Sequence, residues 1–246
     1  MIKVNNVLFS YEPGYPVLKG VTFDVTRGER VGVIGPNGAG KTTLFHLLCG
    51  ILSPDEGELI INGRMIKNAE FNPETGLVFQ NPDDQLFNIS VFEDIAFGPV
   101  NMGLKKEDVQ KKVEQSMEIT GISHLAERPP HHLSGGEKRM AAIASVIALN
   151  PELLIYDEPT SNLDMRGRRR VIDFINSSGH TSLIASHDME FILETCGRVI
   201  ILDEGGITAD GETVSIMENR GLMLKHGLES PHSLLHRKGK HIHTDR

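Results

Sequence analysis

An α/β fold with a mostly parallel core sheet is the class this sequence predicts, and three observations predict it. Short apolar runs of strand length alternate with stretches of helical spacing along most of the 246 residues. One run, Val31, Val33 and Ile34, leads straight into Gly35-Pro36-Asn37-Gly38-Ala39-Gly40-Lys41-Thr42, and Thr43, Leu44, Leu47 and Leu48 then continue as a helix. Another, Leu153 to Tyr156, ends in the acidic pair Asp157 and Glu158, at the sheet end where open α/β folds place their ligands.

Composition narrows the class. The chain is long enough for one large or two small domains with a sizeable core. Hydrophobic residues at 39% and charged residues at 24% describe an ordinary soluble globular protein. No run approaches about eighteen apolar residues. The opening MIKVNNVLFSYEPG also lacks the apolar segment of a signal peptide, so residence in the cytoplasm is expected. A net charge of −8 leaves no broad basic face to neutralise phosphates, which argues against a nucleic-acid partner. Cys49, in an apolar helical stretch, and Cys196, just before a strand, suit buried free thiols better than a disulfide or a metal pair.

From the N-terminus, strands are expected at Lys3 to Phe9, Val21 to Val25, Val31 to Ile34, Glu58 to Ile61 and Gly76 to Phe79. The character changes from about Pro82 to Pro130. There Ser90 to Phe97 and Lys105 to Ile119 carry apolar residues at helical spacing, and Gly98, Pro99, Gly121 and Pro129-Pro130 mark breaks. This reads as a helical subdomain inserted into the core. A helix over Gly136 to Leu149, a buried strand over Leu153 to Tyr156, a helix over Met165 to Asn176, and strands at Leu183 to Ala185 and Val199 to Leu202 complete the alternation. Such alternation implies a parallel sheet covered on both faces. No internal repeat or low-complexity segment is present.

The octapeptide has the chemistry of a phosphate cradle. Glycines at 35, 38 and 40 let backbone N–H groups approach a polyphosphate, Lys41 can reach terminal phosphates, and the Thr42 hydroxyl is placed for a magnesium ion. Asp157 would hold that ion through water, while Glu158 would orient or deprotonate an attacking water, a role worth about 10²–10⁴-fold in rate. His187 follows the strand Leu183 to Ala185 and Ser186; a donor there can contact the γ-phosphate and hold the attacking water. Read alone, a single histidine is more often structural. Leu133-Ser134-Gly135-Gly136-Glu137 opens the next helix with Ser134 at the cap, a second anion site that as a bare pattern is only a helix start.

Together these segments resemble the ATP-binding-cassette ATPases over roughly residues 2–215. The resemblance rests on GPNGAGKT, Gln80 in VFQNP, LSGGE, LLIYDEP, Ser161 to Asp164 in SNLD, and His187 in ASHD. It implies a P-loop NTPase core with a mostly parallel sheet, an N-terminal antiparallel β subdomain, a helical subdomain inserted at about 82–132, and a histidine-containing tail over 216–246. ATP and Mg²⁺ are the implied ligands. Gly35, Pro36, Asn37, Gly38, Ala39, Gly40, Lys41, Thr42 and Thr43 would cradle the nucleotide, and Thr42, Gln80 and Asp157 would serve the ion. Catalytic roles fall to Lys41, Glu158 and His187. In that family two subunits pack head to tail, so Ser134, Gly135 and Gly136 are implied to reach the ATP held by the other subunit, with the Asp164 segment communicating across the dimer. Tyr11, in FSYEPG, matches the aromatic that stacks on adenine; Tyr15 is the weaker candidate, and edge packing is the plainer role for Tyr11. Glu137 stands where many members carry glutamine and Asn162 where many carry a small residue, and neither departure removes a catalytic group.

The stretch Gln80 to Phe87, QNPDDQLF, resembles the ATPase subunits of energy-coupling-factor importers, which take up vitamins and transition metals. Docking on integral membrane subunits through this stretch is implied, which would make the chain a peripheral protein on the cytoplasmic face of the cell membrane. Thr160 to Asp164 followed by Arg166-Gly167-Arg168-Arg169 is similar to the cobalt and nickel branch, as are His226-Gly227-Leu228-Glu229 and Pro231-His232-Ser233-Leu234. An ATPase of a vitamin importer, for biotin for example, stays open as an alternative. A soluble cassette ATPase outside transport is the more distant one, since such proteins generally carry two cassettes or a long coiled-coil insertion. A homodimer is expected, and a heterodimer with a related ATPase remains open. Five of the eleven histidines lie between His226 and His243. His241 and His243 have a spacing that could chelate, but no acidic or cysteine partner completes a site, so a solvated tail or one that helps the dimer associate is expected.

Overall fold

In the structure, a computed structural model, residues 1–66 and 72–235 are described. In chain order the elements are β1 (Ile2–Ser10), β2 (Pro16–Val25), β3 (Arg30–Ile34), α1 (Lys41–Leu48), β4 (Glu56–Ile61), β5 (Arg64–Met65), β6 (Thr75–Val78), α2 (Val91–Asn101), α3 (Lys106–Thr120) and α4 (Gly135–Ile147). They continue with β7 (Leu153–Asp157), α5 (Met165–Ser178), β8 (Thr181–Ala185), α6 (Met189–Thr195), β9 (Arg198–Asp203), β10 (Gly206–Glu212), α7 (Thr213–Met217), α8 (Arg220–Lys225) and α9 (His232–Leu235). The chain forms two compact units, Met1–Glu70 with Leu183–Arg246, and Phe71–Ser182.

The first unit holds the antiparallel sheet β2-β1-β4-β5. In β1, Ile2, Val4, Val7 and Phe9 are buried, and the register sets Val4 opposite both Phe23 and Leu59, so one face is a continuous apolar layer. β3 is parallel to β9, with Val33 opposite Ile200, and β10 returns antiparallel on β9. Both parallel strands are buried almost throughout, which is why they read as unbroken apolar runs. In the second unit β6 pairs parallel with β7, Leu77 opposite Ile155, beside helices α2 to α5.

Two expectations need correction. α2 does not stop before Gly98 and Pro99 but runs to Asn101 with Pro99 inside it. Met102 N donates to Gly98 O at 3.0 Å to close the turn beyond the proline, and Gly98 lies so close to Leu149 that a Cβ would sit 2.5 Å from its Cδ2. Tertiary packing thus overrides the local breaker. The segment after residue 216 is not wholly a solvated tail, because α8 and α9 form there and Met217, Met223, Leu228 and Leu234 are buried. His226 in particular is only 8% exposed, with Nδ1 2.7 Å from Asp203 Oδ2. His241 and His243 lie outside the described residues. Both cysteines are free thiols, and burial pushes each up to about 12.

Candidate nucleotide site

In the first unit β3 delivers the chain into the loop from Gly35 to Gly40. A Cβ on Gly35 would fall 1.9 Å from the Leu202 carbonyl oxygen at the end of β9, so only glycine passes there. Ala39 and Gly40 are buried, Pro36 is half-buried, and Asn37 and Gly38 stand at the exposed rim. Lys41 is buried; its Nζ donates to Gly35 O at 2.7 Å and Pro36 O at 3.0 Å, which holds the ammonium across the inside of the loop. The start of α1 has Gly40 at the cap with φ 103°, no side-chain cap and no acidic residue in its first turn. Its N–H groups and the lysine therefore form a positive concavity with no carboxylate of its own turn to fill it.

Thr42 is exposed on the first turn of α1, and Thr43 is buried with Oγ1 3.2 Å from the Tyr11 hydroxyl. That bond brings Tyr11 beside the loop. Its ring is 61% exposed and meets Phe9 edge-on at 4.9 Å, so the edge-packing role and an open face coexist. Tyr15 is 74% exposed. His187 is exposed and follows the buried Ser186, whose Oγ accepts from Asp188 N at 3.1 Å; Asp188 in turn caps α6 through Phe191 N at 2.9 Å. The histidine is thus mounted on a fixed bend between β8 and α6.

In the second unit β7 is fully buried through Tyr156 and ends in half-buried Asp157 and Glu158. Glu158 has φ 47°, the left-handed region, which costs on the order of 1–3 kcal/mol for a residue with a Cβ. No local sequence signal announces it. Gln80 is exposed, and its carbonyl oxygen accepts from Arg139 Nη2 at 2.6 Å. Ser134 caps α4 in a reciprocal box: its Oγ accepts from Glu137 N at 3.4 Å, while Glu137 Oε2 accepts from Ser134 N and Ser134 Oγ, both at 2.8 Å. The backbone bond from Ser134, joined by its hydroxyl, holds the Glu137 carboxyl below its ordinary range.

Ser134, Gly135 and Gly136 line a cleft of about 490 Å³ together with Asn162, Asp164 and Arg170. The cleft exists because α4 and α5 start almost in contact. A Cβ on Gly136 would lie 3.1 Å from Gly167 Cα, and one on Gly167 would lie 3.2 Å from Gly136 Cα and 3.1 Å from Asp164 Oδ1. Asp164 Oδ1 accepts from Gly167 N at 2.7 Å and caps α5. Gly167 and Arg170 are the cleft members that residue patterns do not assign; a glycine two residues into a capped helix is the one signal that could have pointed to Gly167.

Strand, glycine loop and helix define a P-loop α/β protein. Comparison with known proteins agrees: residues 18–161 match the family described as ABC transporter. The protein sll0385 of Synechocystis sp. is 51% identical over 233 residues, spanning 95% of this chain and 82% of its own. The energy-coupling factor transporter ATP-binding protein EcfA of Methanothermobacter thermautotrophicus is 44% identical over 239 residues, spanning 94% of this chain and 77% of its own. Among solved structures, cbiO1 from Clostridium perfringens, described as part of the ABC transporter complex cbiONQ, superposes with a TM-score of 0.83 at 34% identity, covering 96% of this chain and 98% of that one. The chain belongs to the ABC transporter family and is one of its ATPases.

Proposed function

We propose that this chain is the ATP-hydrolysing subunit of an energy-coupling-factor importer that carries cobalt or nickel ions. The cassette spans residues 2–215 in this reading. The observation that carries the docking half of it is the surface after Gln80. Phe87, Ile89 and Phe97 are 63%, 78% and 50% exposed, and Phe87 meets Phe97 edge-on at 4.9 Å. This apolar surface is held rigid from below. Buried Asp94 accepts Phe87 N, Asn88 N and Asn88 Nδ2 through one oxygen, each at 2.9 Å. Exposed aromatics on a fixed backbone suit a protein partner better than solvent. Among the described residues no helix is long and apolar enough to cross a membrane. Integral partner subunits would therefore supply the path, and the chain would lie on the cytoplasmic face. The relatives named for energy-coupling factor and for the cbiONQ complex support the class, and the Arg166 to Arg169 and His226 to Glu229 stretches support the metal branch.

Gly35 to Thr43 cradle the phosphates of ATP in this reading, with Lys41 drawing charge off them and Tyr11 stacking on the base. Thr42, Gln80 and Asp157 fit Mg²⁺, since an exposed hydroxyl on a helix start, an exposed amide and a strand-end carboxylate are hard oxygen donors. The ion supplies charge neutralisation at the phosphates. Glu158 orients and deprotonates water, and His187 holds that water and the transferring phosphoryl. Ser134, Gly135 and Gly136 reach the nucleotide of a second copy, with the Asp164 segment between.

Two measurements test this. Glu158→Gln should lower turnover about 10²–10⁴-fold while ATP binding persists, and undiminished hydrolysis would remove Glu158 from the role. The tagged chain should also be purified from solubilised native membranes, its partners identified by mass spectrometry, and the complex assayed for cobalt and nickel. Small integral membrane proteins with metal are expected. Membrane partners without metal would turn the reading to vitamins, and ribosomal or DNA-associated partners alone would overturn transport.

A further inference from the structure

The helix that begins at Ser134 is tied along its length to the segment that carries Gln80. Arg139, 1% exposed, donates Nη1 to Phe79 O at 2.5 Å and Nη2 to Gln80 O at 2.6 Å. Its Nε is buried without a partner, and among the described residues these two carbonyls are its polar contacts. Burial pulls its guanidinium down to about 10. A cation withdrawn from water with no carboxylate beside it costs several kcal/mol, more than simple packing of a helix on a loop would require. A planar two-pronged donor, however, fixes both the distance and the orientation of the peptide it grips.

Further ties run parallel to it. Lys138 Nζ lies 2.6 Å from Asp83 Oδ1. Gln85 Nε2 donates to Ala142 O at 2.9 Å and Ser145 Oγ at 3.0 Å, while its Oε1 accepts from Phe79 N at 3.1 Å. Three successive turns of α4 are thereby bonded to residues 79–85. We propose that Arg139 is a positioning residue that transmits displacement of the Ser134 helix start to Gln80 and the docking segment, so that α4 and residues 79–87 move as one body when nucleotide engages the cleft. This rests on the reading of the chain as an ATP-closed cassette.

Hydrogen–deuterium exchange on the full chain tests it, in a Glu158→Gln background with and without MgATP, for Arg139→Met, for Arg139→Lys and for the parent. In the parent, ATP should slow exchange at 35–43, at 134–137 and at 79–87. Arg139→Met should keep the first two responses while the slowing at 79–87 falls by about half or more. Arg139→Lys keeps the charge without the fork and should lose the same response, and it carries the test if Arg139→Met melts before assay. A purely structural Arg139 would speed exchange at 79–87 equally with and without ATP and leave the ATP-induced difference intact; that result overturns the proposal. Absence of any ATP response at 35–43 in the parent instead overturns the cassette reading beneath it, and the two failures are visible in different peptides.

Discussion

The starts of α1 and α4 both follow glycine-rich stretches, yet they are finished in opposite ways. At α1 the cap is a left-handed glycine, the first turn carries no acid, and Lys41 spans the loop carbonyls. At α4 the cap is a serine, and a carboxylate from the same turn already occupies the donors of Ser134. Similar glycine-rich segments therefore mean different chemistry. In the proposed reading the first start holds a polyanion by itself, whereas the second, satisfied by its own side chains, offers an open cleft to a ligand held by another copy.

The strongest way to break this contrast is Lys41→Ala, which removes the ammonium held across the loop at the α1 start. Hydrolysis should fall by about 10²–10³-fold, measured as phosphate release, and a smaller effect than at α4 would reverse the assignment. A sharper comparison sets Gly35→Ala against Gly135→Ala. The first drives a methyl into the Leu202 carbonyl and should cost about 1–3 kcal/mol in denaturant unfolding. The second meets nothing nearer than Leu163 Cδ2 at 3.6 Å and should leave stability within about 0.5 kcal/mol.

Smaller effects separate the caps. Ser134→Ala should cost about 1 kcal/mol, read from the thermal midpoint. The Glu137 carboxyl is held below its unfolded value by the Ser134 backbone bond, so its contribution is present above the unfolded value of about 4.3 and is lost as pH falls through the folded one. Acid should loosen the α4 start accordingly, and Glu137→Gln should flatten that limb of the stability profile. An unchanged limb would mean the carboxylate does not hold the cap.

Residues whose role is set by local pattern were legible. β3 and β7 are buried on both faces and so read as unbroken apolar runs, the octapeptide declares its loop, and Ser134 declares its cap three residues before Glu137. What escaped depends on distant partners. The Gly136 to Gly167 approach and the Arg139 fork arise from contacts that no window of sequence contains, and no local signal marks the left-handed Glu158. β10 escaped for a plainer reason: Gly206–Glu212 alternates partly buried and exposed residues with glycine and aspartate, so it lacks an apolar stripe, and its place is set by antiparallel pairing with β9.

Sedimentation of the Glu158→Gln protein with MgATP tests the contrast most directly, with and without Ser134→Ala. The expected result is an ATP-dependent dimer that Ser134→Ala dissolves while each chain still binds one nucleotide at the α1 loop. A monomer that binds ATP and loses that binding on Ser134→Ala would contradict it, because the α4 start would then be serving its own chain.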